Sequence, residues 1–259
     1  VGIVGIAVGW LVIVESRDTS KGQRLDLPGV LLSAGALFAL TFGLIEANRY
    51  GWTSPIILGL FSSAAVGLTA FVLVEARGRA PMLDLSLFRN GTFLGANLVA
   101  LLVTLAMFGV FFFMSLFVQQ ILGYSPVEAG AIFLPMTILI IVVAPLAGKL
   151  SDRVGSRWLM SGGLTLLAIS LVVFSRLEVG DGCWDILPAL LVGGIGMASV
   201  MTPRSAAAMG SAPVRKAGVA GGVLNTFRQV GGALGIAVMG AILTSKEASA
   251  LASGASPQQ

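Results

Sequence analysis

Apolar residues along this chain gather into long runs broken by short polar linkers. Seven complete runs lie near residues 28–48, 55–74, 93–122, 126–147, 158–176, 185–203 and 217–243. Each is long enough to cross about 30 Å of hydrocarbon as a helix. Residues 1–14 form a shorter apolar stretch with no charged segment before Val1. They are expected to be the end of a truncated transmembrane helix rather than a signal peptide. The predicted class is an all-α polytopic membrane protein of about seven complete transmembrane helices plus the end of one more.

The linkers alternate in charge. Residues 15–27, 75–92, 148–157 and 204–216 hold Arg17, Lys21, Arg24, Arg77, Arg79, Arg89, Lys149, Arg153, Arg157, Arg204, Arg215 and Lys216. The other linkers and ends hold only Arg49, Arg176 and Lys246. This split follows the positive-inside rule and predicts the four basic linkers to be cytosolic. The tail 244–259, "TSKEASALASGASPQQ", would then lie outside, and its small polar residues read as disordered.

Composition narrows the function classes. The chain has 259 residues, 56% hydrophobic and 11% charged, with a mean hydropathy of +0.95. A soluble domain carries about 25% charged residues. There is no histidine, and Cys183 is the sole cysteine, so no disulfide within the chain and no CxxC metal site can form. No metal or cofactor is expected. The net charge of +4 is distributed as topology requires, so it does not imply a nucleic-acid partner. No nucleophile elbow, paired intramembrane acids or G-x4-G-K-[ST] phosphate loop is present, so an enzyme is not expected and the energy source should be an ion gradient.

Several polar residues interrupt the apolar runs. Asn97, Thr104, Phe108, Phe111, Ser115 and Gln119 fall at helical spacing on one face of the run 93–122. Lipid cannot satisfy such a stripe, so it should face protein or water. It reads either as a cavity wall, with Met107, Phe112, Met114, Phe133 and Met136 as adaptable apolar surface, or as polar glue between helices. Arg228 lies about 10 residues, roughly 15 Å, beyond the start of its helix near Gly218, with Asn225 on the same face and Gln229 beside it. It reads equally as a cavity-edge cation that biases gating or as a clamp between helices. No acidic residue lies as deep in any run, so an acidic partner would have to come from elsewhere. The pairs Gly231/Gly235 and Gly218/Gly222 predict close helix contacts.

Two carboxylates are candidates for proton coupling, each with a simpler account. Glu46 stands three residues before Arg49 and can pair with it. Glu128 sits three residues after Ser125 at the start of a span, where a carboxylate favours the helix N-terminus. Pro135, Pro145 and Pro188 mark expected kinks.

The linker "GKLSDRVGSR" (148–157) fits G-x3-D-R-x-G-x-R. Gly148 would allow close helix approach and Gly155 a tight turn. Asp152 could reach the next helix N-terminus or pair with Arg153 or Arg157, which would make the loop a gate. The alternative is a basic loop obeying topology alone. This pattern resembles the loop signature of the major facilitator superfamily. The segments "APMLDLSLFRNGTFLGANLVA" (80–100), "LGYSPVEAGAIFLP" (122–135) and "AGVAGGVLNTFRQVGGALGIAVMG" (217–240) resemble its fourteen-span drug:proton antiporters of the EmrB/QacA type.

That resemblance implies a helical-bundle transporter in part. Residues 28–74 would be two helices inserted between the halves, 75–92 an interfacial linker, and 93–243 five helices of the C-terminal half. A missing N-terminal half would complete the machine and carry the main proton-binding acid. The implied function is proton-coupled export of small lipophilic or cationic compounds across the cell membrane. A specific metabolite or antibiotic exporter of the same fold, or a non-transporting membrane scaffold, are the alternatives.

Overall fold

In a computed structural model, residues 26–78, 83–178 and 182–252 are described, together with isolated helical positions at Ile6, Trp10 and Val12. The expectations for residues 1–14 and most of 15–27 therefore lie largely outside the described residues. All regular structure among the described residues is helical. The helices are α1 (Leu27–Tyr50), α2 (Pro55–Arg77), α3 (Gly91–Leu116), α4 (Pro126–Ile132), α5 (Leu134–Val154), α6 (Ser156–Phe174), α7 (Cys183–Gly210) and α8 (Ala217–Ala252). Taking α4 and α5 together, seven helical segments are long and apolar enough to cross a membrane.

Local chemistry sets the helix starts. Asp26 Oδ1 accepts the Gly29 N–H at 3.0 Å, Ser54 Oγ accepts that of Ile57 at 3.3 Å, and Asn90 Oδ1 accepts that of Thr92 at 2.9 Å. Each satisfies an amide that the helix itself leaves free. Gly51, Gly123 and Gly155 take positive φ where the chain must turn sharply. Beyond Leu116, α3 widens into a π-turn at Phe117–Ile121.

Small residues decide how the helices pack. A Cβ added at Gly231 or Gly235 of α8 would run into the carbonyl oxygens of Leu101 and Leu105 of α3. A Cβ at Gly163 of α6 would lie 2.8 Å from the Gly196 carbonyl of α7. The Gly231/Gly235 expectation thus holds. Gly218 and Gly222 meet nothing within 4 Å, so the second glycine pair makes no close contact here. The central helix is α7, 61% buried in its most apolar window, whereas the other spans are 11–28% buried and present apolar faces outward.

The two ends of the bundle are distinct. At one end Lys216 pairs with Asp84, and Asn90 Nδ2 donates to the Ser211 carbonyl at 3.3 Å. These contacts bring the two basic linkers 75–92 and 204–216 together, as one-sided topology requires. The tail differs from expectation: α8 continues to Ala252, so residues 244–252 are helical rather than disordered. "KEASALA" is rich in good helix formers, which outweigh its polarity. The helix breaks at Phe133, two residues before Pro135, while Pro145 and Pro188 lie inside continuous helices.

Candidate functional site

The polar-aromatic face of α3 divides in two. In the half farther from the basic linkers, Phe108, Phe111, Ser115 and Gln119 line an open concavity of about 450 Å³. Phe112 of α3, Pro126, Ala129 and Gly130 of α4, Phe133 at the α4–α5 junction and Ile236 of α8 complete its wall. Gln119 Nε2 donates to Ser115 Oγ at 2.7 Å, which holds the polar patch together. The Phe111 and Phe133 rings meet with centroids 4.8 Å apart at 40°. Phe108 packs over Gly232 of α8.

In the other half, Asn97 and Thr104 do not line the concavity. Asn97 is fully buried, and its Nδ2 donates to the Phe93 carbonyl at 2.8 Å. Thr104 Oγ1 donates to the Ala100 carbonyl at 2.6 Å. Both donate to their own helix, the usual resort of a short polar side chain in an apolar span, but the buried Asn97 Oδ1 has no hydrogen-bond partner. Their neighbours Phe93, Ala96 and Ala100 pack with Ala208 of α7 and Ala220 and Leu224 of α8. These two residues are buried among the packed helices and lie away from the concavity. Met107 and Met136 line a smaller, partly open apolar void behind the Phe111–Phe133 contact.

The charged candidates fare unevenly. Glu128 closes a capping box with Ser125: its carboxylate accepts the Ser125 N–H and hydroxyl, each at 2.8 Å. It is exposed and does not line the concavity. Glu46 lies 3.8 Å from Arg49, the expected pair one turn apart. In the loop 148–157, Gly148 packs 3.2 Å from Thr202 of α7 once a Cβ is imagined on it, and Gly155 adopts φ +92°. Asp152, Arg153 and Arg157 are exposed. Asp152 makes no ion pair or hydrogen bond among the described residues, contrary to the expected helix-cap or arginine contact. The loop is a single residue, Gly155, so Asp152 stays in the last turn of α5, and α6 starts without a side-chain cap.

Arg228 is exposed on α8, as are Asn225 and Gln229. Its neighbour across the α7–α8 hairpin is Arg204, which the linker boundary had concealed. Arg204 is a helix residue of α7, 2% exposed, and its Nε and Nη1 have no hydrogen-bond partner. The two guanidinium groups are near enough to repel. Glu75 was likewise missed. Only 4% exposed, it accepts the Leu83 N–H at 3.0 Å and lies against Gly29 of α1. The sequence signal for both was weak, because each stands where an apolar run meets a charged linker and reads as solvated.

No group of three or more His, Cys, Asp or Glu that could hold a metal occurs among the described residues. The concavity offers aromatic faces, one amide and one hydroxyl. Such a surface can bind an organic molecule by shape and apolar contact but carries no reactive nucleophile.

Comparison with known proteins places this architecture. A sequence profile of the Major Facilitator Superfamily matches residues 3–236. The chain is 33% identical over 246 residues to the tetracenomycin C resistance and export protein of Streptomyces glaucescens, covering 95% of this chain and 46% of that protein. It is 35% identical over 255 residues to the puromycin resistance protein pur8 of Streptomyces alboniger, covering 96% and 50%. Over 246 residues it is 33% identical to the multidrug resistance protein Stp of Mycobacterium tuberculosis, covering 93% and 46%. The chain thus spans about half the length of these relatives. With seven membrane-length helices and a family profile running through nearly all of them, the chain belongs to the Major Facilitator Superfamily.

Proposed function

We propose that this chain forms part of a secondary exporter of small lipophilic or cationic compounds in the cell membrane, driven by protons moving inward. The observation that carries this reading is the concavity of Phe108, Phe111, Phe112, Phe133, Ser115 and Gln119. It joins broad aromatic surface to few polar groups, as a site tolerant of varied organic molecules needs. The relatives' names, which speak of resistance to and export of antibiotics, support the same direction. A second helical half would supply the opposing wall, and the two would rock about a site near the midplane.

Export of a single antibiotic is the second reading, favoured by relatives named for one compound each. The test is transport in proteoliposomes with an imposed pH gradient, using lipophilic cations and neutral antibiotics side by side. The proposal expects gradient-dependent movement of several compounds by the longer protein and none by the 259-residue chain alone. Movement of one compound only would favour the second reading. Movement independent of the pH gradient would remove the proton drive.

A further inference from the structure

The contact between Phe111 and Phe133 is also a boundary. On one side lies the open concavity of about 450 Å³, and on the other a smaller, partly open apolar pocket of about 40 Å³. The two rings line both spaces. Behind them the void is walled by Met107, Met136, Leu171 and Met197, and no charged residue reaches it. Its one polar side chain, Ser170, already donates to the Ala189 carbonyl at 2.7 Å. A space that can offer water no free partner stays dry, and dry apolar voids accept apolar ligands.

Both helices that carry the rings are irregular beside them. At Phe133, α4 gives way to α5. Pro135 has no N–H, so the Ala131 carbonyl receives no helical bond from it. Downstream of Phe111, α3 ends in the π-turn at Phe117–Ile121. Such interruptions leave local backbone freer to adjust. Methionine walls adjust as well, since the thioether chain is unbranched and flexible.

We propose that Phe111 and Phe133 form a movable partition, and that the void behind it is a specificity pocket for the uncharged apolar arm of a compound held in the concavity. A short alkyl group or the edge of a ring would fit. The compound's polar end stays beside Ser115 and Gln119, and a charged arm is rejected. This rests on the reading of the concavity as the binding site and adds its selectivity.

The test uses dansylamides carrying N-alkyl arms from methyl to hexyl, titrated onto the 259-residue chain in lipid nanodiscs with empty nanodiscs subtracted. The expected wild-type affinity rises about fourfold per methylene until the void is full, then stops rising. Phe133→Ala should move that stop to a longer arm. Ala106→Leu, which fills the void from α3, should move it to a shorter one. Phe133→Leu replaces Phe133→Ala if the melting temperature shows the alanine variant unfolded. Gln119→Leu should weaken every member alike. A length dependence identical in all variants overturns the pocket while leaving the concavity as a binding site. Failure of every probe to bind above empty nanodiscs overturns both.

Discussion

Arg204 of α7, buried, lies within electrostatic range of the exposed Arg228 of α8 across a helix hairpin, and neither has an ion-pair partner among the described residues. The register explains the meeting. Ala208 packs with Ala220 and Leu224, so one turn further from the connecting loop Arg204 comes level with Arg228. Side chains lean toward their own helix N-terminus, and in an antiparallel pair the two therefore lean past one another. Two like charges in an apolar setting raise each other's cost.

It follows that Arg204→Met in the purified chain should not destabilise it. Removing buried, unsatisfied donors relieves on the order of 1–3 kcal/mol, and more for a charged group. The melting temperature should rise or hold. A fall of several degrees would mean that Arg204 is engaged.

The Asp84–Lys216 pair gives a pH signature outside the spans. The Lys216 ammonium, followed by the Ser86 hydroxyl and amide, holds the Asp84 carboxyl down at about 2. A depressed carboxylate adds stability above its unfolded value near 3.9, and that contribution fades as pH falls through the folded value. Asp84→Asn should therefore lower the melting temperature at pH 7. The gap to wild type should close between about pH 4 and pH 2. A gap constant over that range would show that the pair is not what the substitution removed.

Gly235 has no room for a side chain, because the Leu105 carbonyl of α3 occupies the space. Gly235→Leu should separate α3 from α8 at a cost of about 1–3 kcal/mol or more. Gly218→Leu, with nothing within 4 Å, should cost far less. Thermal unfolding of the two variants side by side checks this, and equal losses would refute the packing register.

Sidedness is open to cysteine labelling in a Cys183→Ser background. Ser86→Cys and Ser211→Cys, at the end joined by Asp84 and Lys216, should react with a membrane-impermeant maleimide only from the cytosol. Ser125→Cys should react only from outside. Reaction of all three from one side would overturn the topology.

Much of the fold was legible because the bilayer demands long apolar segments and punishes stray charge. The seven spans and the Gly231/Gly235 contact followed from length and spacing alone. The boundary at Arg204 was not legible, because a basic residue at the end of an apolar run reads as linker whether the helix stops there or continues. The stripe on α3 was half legible. Helical spacing placed Asn97 and Gln119 on one face but could not say that Asn97 would be buried with its amide donating to the Phe93 carbonyl while Gln119 reached into the open. The contacts of Asp152 were overestimated, since sequence proximity to Arg153 and Arg157 does not make charges meet in water.

The most direct test of export is dye accumulation in bacteria lacking their own efflux pumps, with this chain expressed together with the second helical half proposed above. Intracellular ethidium should fall severalfold relative to empty vector. A proton uncoupler should restore it. Phe111→Ala combined with Gln119→Leu should restore it with the protein still present in the membrane, and Asp152→Asn should restore it in part. Accumulation equal to the vector control across ethidium, puromycin and neutral lipophilic dyes would contradict the account.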